Sequence, residues 1–188
     1  MVTMPQFRRR ALAAAALVPV ALLLAPAARA QAPTPAPEIQ RLAAIAGAFE
    51  GEATYTAGGR TVRFRLHHVN RVISGGFGLA AHEEADVPGL GHYEAENLFG
   101  WDAGRRRLHL FSVTSDPNTH DHSGPWIDAT HARLRYEGLR DGKRLVEVIP
   151  FELVSANEYR FRSTTIVAGG PPEILAATMK RVDGMAKR

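Results

Sequence analysis

From Phe49 to Arg181 the chain alternates apolar and polar residues in short runs, and each run ends at a cluster of turn-forming residues. Side chains of a strand point to opposite faces in turn, so this period of two predicts half-buried β-strands and excludes a helical domain. The first run sets Phe49, Gly51, Ala53 and Tyr55 against Glu50, Glu52, Thr54 and Thr56. Gly58-Gly59 then forms a tight hairpin turn, and Val62, Phe64, Leu66 and His68 alternate with Arg63, Arg65 and His67. Further strands are expected over 77–86, 92–101, 107–114, 120–126, 131–138, 143–153, 158–167 and 173–181. They are divided by Pro88-Gly89, Asp102-Ala103-Gly104, Asp116-Pro117-Asn118, Asp141-Gly142, Ser155-Ala156-Asn157 and Gly169-Gly170-Pro171-Pro172.

Links this short join neighbouring strands antiparallel. Laid flat, about ten strands in up-and-down order would leave two long unpaired edges, and closing the sheet on itself removes them. A β-sandwich needs long crossing connections, and the sequence offers none. The expected fold is therefore all-β: a closed up-and-down antiparallel barrel of about ten strands. One short helix is expected before it, over 38–46, where Ile39, Leu42, Ala43 and Ala46 share a face between Pro37 and Gly47. It reads as a lid on the barrel's closed end. Ser74-Gly75-Gly76-Phe77-Gly78 is dense in glycine but precedes a strand, so it reads as a bend at the barrel rim and not as a phosphate loop.

The first thirty residues carry a different signal. Arg8-Arg9-Arg10, an apolar body over 11–28 and Ala28-Arg29-Ala30 make the three-part pattern of a cleaved signal peptide, with cleavage expected after Ala30. A proline-rich tether over 31–37 would follow, then a barrel domain over 38–183 and a tail over 184–188. Localisation is accordingly expected to be periplasmic or secreted, with no stable membrane insertion after cleavage. The whole chain holds 23 Lys and Arg against 19 Asp and Glu. Cleavage would remove Arg8, Arg9, Arg10 and Arg29 and no acid, which leaves the two signs balanced. A near-neutral domain has no general attraction for phosphate backbones, so nucleic acid is not an expected partner. The absence of cysteine excludes disulfides, thiolate metal sites and thiol nucleophiles.

Several of these residues resemble the calycin-like barrels. A short helix running into Gly47-Ala48-Phe49 is similar to the lipocalin-type Gly-x-Trp opening, with Phe in place of Trp. The resemblance implies that a basic residue of the last strand, Lys180 or Arg181, covers that ring. Arg71-Val72-Ile73-Ser74-Gly75-Gly76-Phe77, Asn97-Leu98-Phe99-Gly100-Trp101-Asp102 and Gly124-Pro125-Trp126 more closely resemble an exported bacterial family known only as a domain of unknown function. These motifs are glycines and aromatics at turns, so they carry fold and not chemistry. A related family, the nitrobindins, holds haem through a histidine near its C-terminal end. The last histidine here is His131, so the matching ligand is missing.

The densest polar constellation is His120-Asp121-His122. On an extended strand both imidazoles project from one face, where they could approach one metal ion, with a third ligand expected from Asp116 or His109. His68, Tyr93, Asn97 and His109 share strand parity with Leu66, Phe99 and Phe111, which predicts polar groups aimed into a cavity. Glu83-Glu84 and Glu94-x-Glu96 read first as solvated strand faces. Glu147 stands among Leu145, Val146, Val148 and Ile149, where burial would raise its pKa toward general-acid use. No Gly-x-Ser-x-Gly elbow and no His-Glu-x-x-His motif is present.

The expected function is enclosure of a small, largely apolar molecule. Its walls would come from Phe64, Leu66, Tyr93, Phe111, Tyr136, Phe151 and Phe161, with His68, Asn97 and His109 as orienting polar groups. Two other classes fit the same residues. One is a small barrel enzyme, an isomerase, cyclase or hydrolase, using His and Glu as acid and base or a metal held by His120 and His122. The other is an envelope scaffold whose barrel is filled by its own side chains.

Overall fold

The computed structural model describes residues 32–116 and 118–183. The expected signal segment, its cleavage site and the C-terminal tail lie outside the described residues. A short helix, α1 (Pro37–Ala43), opens the domain with Pro37 in its first turn, where proline's missing N–H costs nothing. It ends a few residues earlier than the sequence pattern suggests.

Ten strands follow: β1 (Gly47–Ala57), β2 (Arg60–Ile73), β3 (Gly78–Val87), β4 (Gly91–Asp102), β5 (Arg107–Thr114), β6 (Thr119–Gly124), β7 (His131–Arg140), β8 (Lys143–Ser155), β9 (Glu158–Val167) and β10 (Glu173–Arg181). Each pairs antiparallel with the next, and β1 also pairs with β10, from Phe49 opposite Arg181 to Thr56 opposite Ile174. The barrel is therefore closed, as expected. Ser74–Gly76 forms a 3-10 turn between β2 and β3, with Gly75 at φ 65° and Gly76 at φ 99°, a left-handed stretch that glycine adopts without a Cβ penalty.

One end of the barrel is stopped by α1. Its Ile39 and Leu42, with Ile45 just beyond, are buried in the same cluster as Phe49, Leu79, Leu108, Tyr159 and Met179. Arg41 holds the helix to the turn before β7, lying 5.1 Å over the Trp126 ring and donating to the Asp128 carbonyl at 2.9 Å.

The lipocalin-like closure is present, and Arg181 supplies it, not Lys180. Its guanidinium sits 4.7 Å over the Phe49 ring and donates to the carbonyls of Ala46, at 2.6 Å, and Ala44, at 3.0 Å. It also donates to the carbonyl of Ala156 and the side chain of Asn157 in the β8–β9 turn. Gly47 makes this possible, because a Cβ there would stand 2.5 Å from an Arg181 nitrogen. One side chain thus ties the helix end, the first strand and the last strand together. Arg181→Met, which keeps the stem and deletes the donors, is expected to lower the unfolding free energy by about 2 kcal/mol in urea denaturation. An unchanged midpoint would show that the closure is ornamental.

The inward face of β5 differs from expectation. Asp102 pairs with Arg107 across a four-residue turn, which sets Trp101 beside Leu108, Phe99 beside Leu110 and Asn97 beside Ser112. Leu108, Leu110 and Ser112 therefore face the lumen, and His109, Phe111 and Val113 face outward.

Candidate functional site

The lumen keeps two adjoining chambers. An inner one of about 140 Å³ lies toward α1, between Leu79, Leu110, Leu134, Ile149, Phe151 and Phe161. A wider mouth of about 560 Å³ lies at the opposite end, rimmed by the turns that carry Leu90, Asp116 and Arg140. Glu83, Tyr93, His120, Glu147 and Ser163 line both, so they mark the neck where the chambers meet.

At that level the lumen wears a belt of polar side chains. Tyr159 on β9 reaches across to His68 on β2, with 2.6 Å between its hydroxyl and Nδ1. Burial, reinforced by the charge of Glu83, pushes the Tyr159 phenol up, so it keeps its proton and donates. His68 Nδ1 accepts that bond, and the other ring nitrogen, Nε2, stands 3.4 Å from Glu83 Oε2 without hydrogen-bond geometry. Asn97 on β4 donates to the same Glu83 oxygen at 3.3 Å, and Ser112 on β5 donates to Asn97 Oδ1 at 2.6 Å. Ser112 pairs with His120, where the second half of the belt begins.

That half converges on Glu147. Oε2 of Glu147 on β8 lies 3.0 Å from His120 Nδ1 and 2.9 Å from His122 Nε2, both on β6, while Ser163 on β9 donates to Oε1. Tyr136 on β7, directly opposite Glu147 in the ladder, stacks on His120 with ring centroids 4.1 Å apart. Gly138 leaves the space its phenol occupies, since a Cβ there would overlap the Tyr136 hydroxyl. Burial alone would raise the Glu147 carboxyl, but the hydrogen bonds from His120, His122 and Ser163 outweigh it and hold the group well below the usual carboxylate range. The expected shift toward general-acid use is therefore reversed: Glu147 stays charged. Tyr93, nearby, is pushed up by burial and by the charges of Glu83, Asp116 and Glu147.

Of the residues expected to form the site, His68, Tyr93, Asn97, Phe151 and Phe161 line the inner chamber, and Phe64 and Leu66 line the mouth. Tyr136 faces inward against the two histidines. His109 and Phe111 are corrections. The turn register places both on the outer wall, where His109 Nδ1 meets Asp121 at 3.1 Å and Phe111 is 42% exposed. Neither His109 nor Asp116 joins His120 and His122; the third group is Glu147. The expected solvation of Glu83-Glu84 holds for Glu84 only, because Glu83 points inward and is buried. Glu83, Asn70, Ser112, Tyr159 and Ser163 were not signalled by any motif. An inward parity on their strands was the one clue, and it marks small and polar residues as readily as apolar ones. His131, the last histidine, lies on the outer face against Asp128, and no histidine follows it to serve a haem from the C-terminal strands.

No known protein-family model matches the chain, and no curated protein sequence matches it either. Solved structures share its shape. Rv2717c from M. tuberculosis superposes with a TM-score of 0.60 at 16% identity, covering 79% of this chain and 99% of that one. The S-type phycobiliprotein lyase CPES from Guillardia theta superposes with a TM-score of 0.51 at 9% identity, covering 78% and 97%. Identities this low establish fold alone. The protein is a closed ten-stranded antiparallel barrel of the fold these structures share.

Proposed function

We propose that the barrel binds a small organic molecule in its lumen, with an apolar body in the inner chamber and a hydrogen-bonding group at the polar belt. The observation that carries this reading is the belt itself. Buried polar groups are costly unless partnered, and His68 Nε2 and His122 Nδ1 have no hydrogen-bond partner among the described residues. A packed scaffold gains nothing from such groups. A ligand that supplies donors and acceptors there would satisfy them. The sequence expectation of a largely apolar guest is thereby narrowed to an amphipathic one.

Size sharpens the class. A cavity of roughly 150 Å³ holds one benzene ring, so the inner chamber suits a single ring or a short branched chain. The mouth leaves room for a larger remainder. Apolar surface removed from water contributes about 25 cal/mol per Å², and the belt selects orientation. The N-terminal three-part segment supports a place of action outside the cytoplasm.

Phenol serves as a probe of the inner chamber. Saturation-transfer NMR is expected to show transfer to its ring protons, and Ala81→Leu, which fills part of that chamber, is expected to weaken binding at least about tenfold while the protein stays folded. Native mass spectrometry of protein purified from its host should show a bound mass. Transfer that persists undiminished in the filled variant would place phenol elsewhere and remove the proposal's support.

A further inference from the structure

His120, His122 and Glu147 converge, in hydrogen-bonded contact, on one point of the lumen wall. Among the described residues they are the one group of three such side chains whose ligand-type atoms all lie within 4.8 Å of one another. Both imidazoles aim a nitrogen at a single carboxylate oxygen, at 2.9 and 3.0 Å. A zinc-class ion holds nitrogen and oxygen ligands at about 2.0–2.2 Å, and tetrahedral angles then put neighbouring ligand atoms about 3.3 Å apart. The two N···O separations are a few tenths of an ångström short of that spacing, and all three ligand atoms lie within 4.8 Å of one another, so a small adjustment of the side chains would admit an ion.

From these positions we infer that His120, His122 and Glu147 form a binding site for one divalent first-row metal ion, with its remaining coordination position open to the lumen. The donor set is two imidazoles and one carboxylate, which suits zinc and its neighbours and disfavours calcium and magnesium, whose ligands are oxygens. The open position follows from place: His120 and Glu147 stand at the neck, bordered by both chambers, so a bound ion would face the lumen.

The surrounding residues are those that orient ligands. Ser163 donates to Oε1 of Glu147, which leaves Oε2 as the atom turned to the histidines. Tyr136 clamps the His120 ring by stacking, and Gly138 gives that phenol its space. Partners of this kind fix the direction of metal ligands and raise affinity. His122 is 3% exposed, so an ion held at its Nε2 would be screened from bulk water on that side. The two histidines come from one strand at i and i+2, so they are fixed relative to each other. Glu147 comes from β8, beyond β7, and an ion would join strands that share no ladder bonds. This site does not depend on the organic ligand proposed above.

The test uses the metal ion alone. Chelator-treated full barrel domain, titrated with Zn²⁺ in a calorimeter, is expected to take up one equivalent, and Co²⁺ substitution should give the intense visible absorption of a four-coordinate site. His122→Ala and Glu147→Gln are each expected to weaken Zn²⁺ binding at least about a hundredfold. His82→Ala is the control. That residue lies on the outer wall beside Glu84, Glu94 and Glu96 and would report adventitious surface binding. Should the interior variants fail to fold, NMR of the unmodified protein decides, because Zn²⁺ should shift the ring protons of His120 and His122 and not those of His82. The inference is overturned if no stoichiometric ion binds, if binding survives Glu147→Gln, or if only the His82 ring responds. Phenol binding is measured on metal-free protein, so failure of either proposal leaves the other standing.

Discussion

Phe49→Ala is expected to lower the unfolding free energy by about 4 kcal/mol, the middle of the range for truncating a buried phenylalanine. Phe49 is 1% exposed and sits at the stopped end of the barrel, its ring 4.9 Å from that of Tyr159 and tilted by 58°. Deleting the ring removes its transfer from water, the tilted aromatic pair and the surface on which Arg181 rests. Little can collapse into the gap, because rigid strands and α1 surround it. Tyr159 would lose its support, and with it the hydroxyl that orients His68. Phe49→Leu should recover roughly half of the loss. The double variant with Arg181→Met should fall short of additivity by about 1 kcal/mol, the share carried by the guanidinium over the ring. Denaturant midpoints with unchanged slopes would measure all three. A loss below about 1 kcal/mol for Phe49→Ala would mean that the end is not closed by packing.

Gly124→Val is expected to cost about 3 kcal/mol and to dismantle the site as well. A Cβ at this position would overlap the backbone carbonyl oxygen of Arg133, and a backbone atom cannot swing aside as a side-chain tip can. The join it disturbs is already the thinnest in the barrel, since β6 and β7 share one ladder pair, Ser123 with Arg135. Forced apart there, β6 would carry His120 and His122 away from Glu147. Ring-proton NMR of the two histidines should therefore change together with stability. If stability falls while those signals stay in place, β6 is held from the β5 side alone and the proposed role of the glycine is wrong. Gly124→Ala tests the same contact with the smallest possible group.

The strands were legible because alternation and turn chemistry agree along the whole chain. The expected limits of β5, β9 and β10 match the observed ones, and short links alone implied closure. The inward face of β5 was illegible for a physical reason. Leu108 and Leu110 compete with Phe111 and Val113, so both faces of that strand are apolar, and the decision rests on a turn register that composition does not encode. Glu83 and Glu84 pose the same problem in polar form, since nothing in two adjacent carboxylates says which one turns inward.

The His120 and His122 pair was visible in its spacing, and Glu147 in its apolar setting. Their meeting was not. They lie 25 residues or more apart on the two strands that flank β7, and it is their shared pairing with β7 that brings them together. Ser163 adds a fourth element from yet another strand. Sites assembled across a lumen draw single residues from many strands, so no local motif announces them.

Because α1 stoppers one end, a guest of the proposed kind would have to enter and leave by the opposite mouth. How long such a guest stayed would then depend in part on the hairpin tips around Leu90, Asp116 and Arg140, which rim that opening.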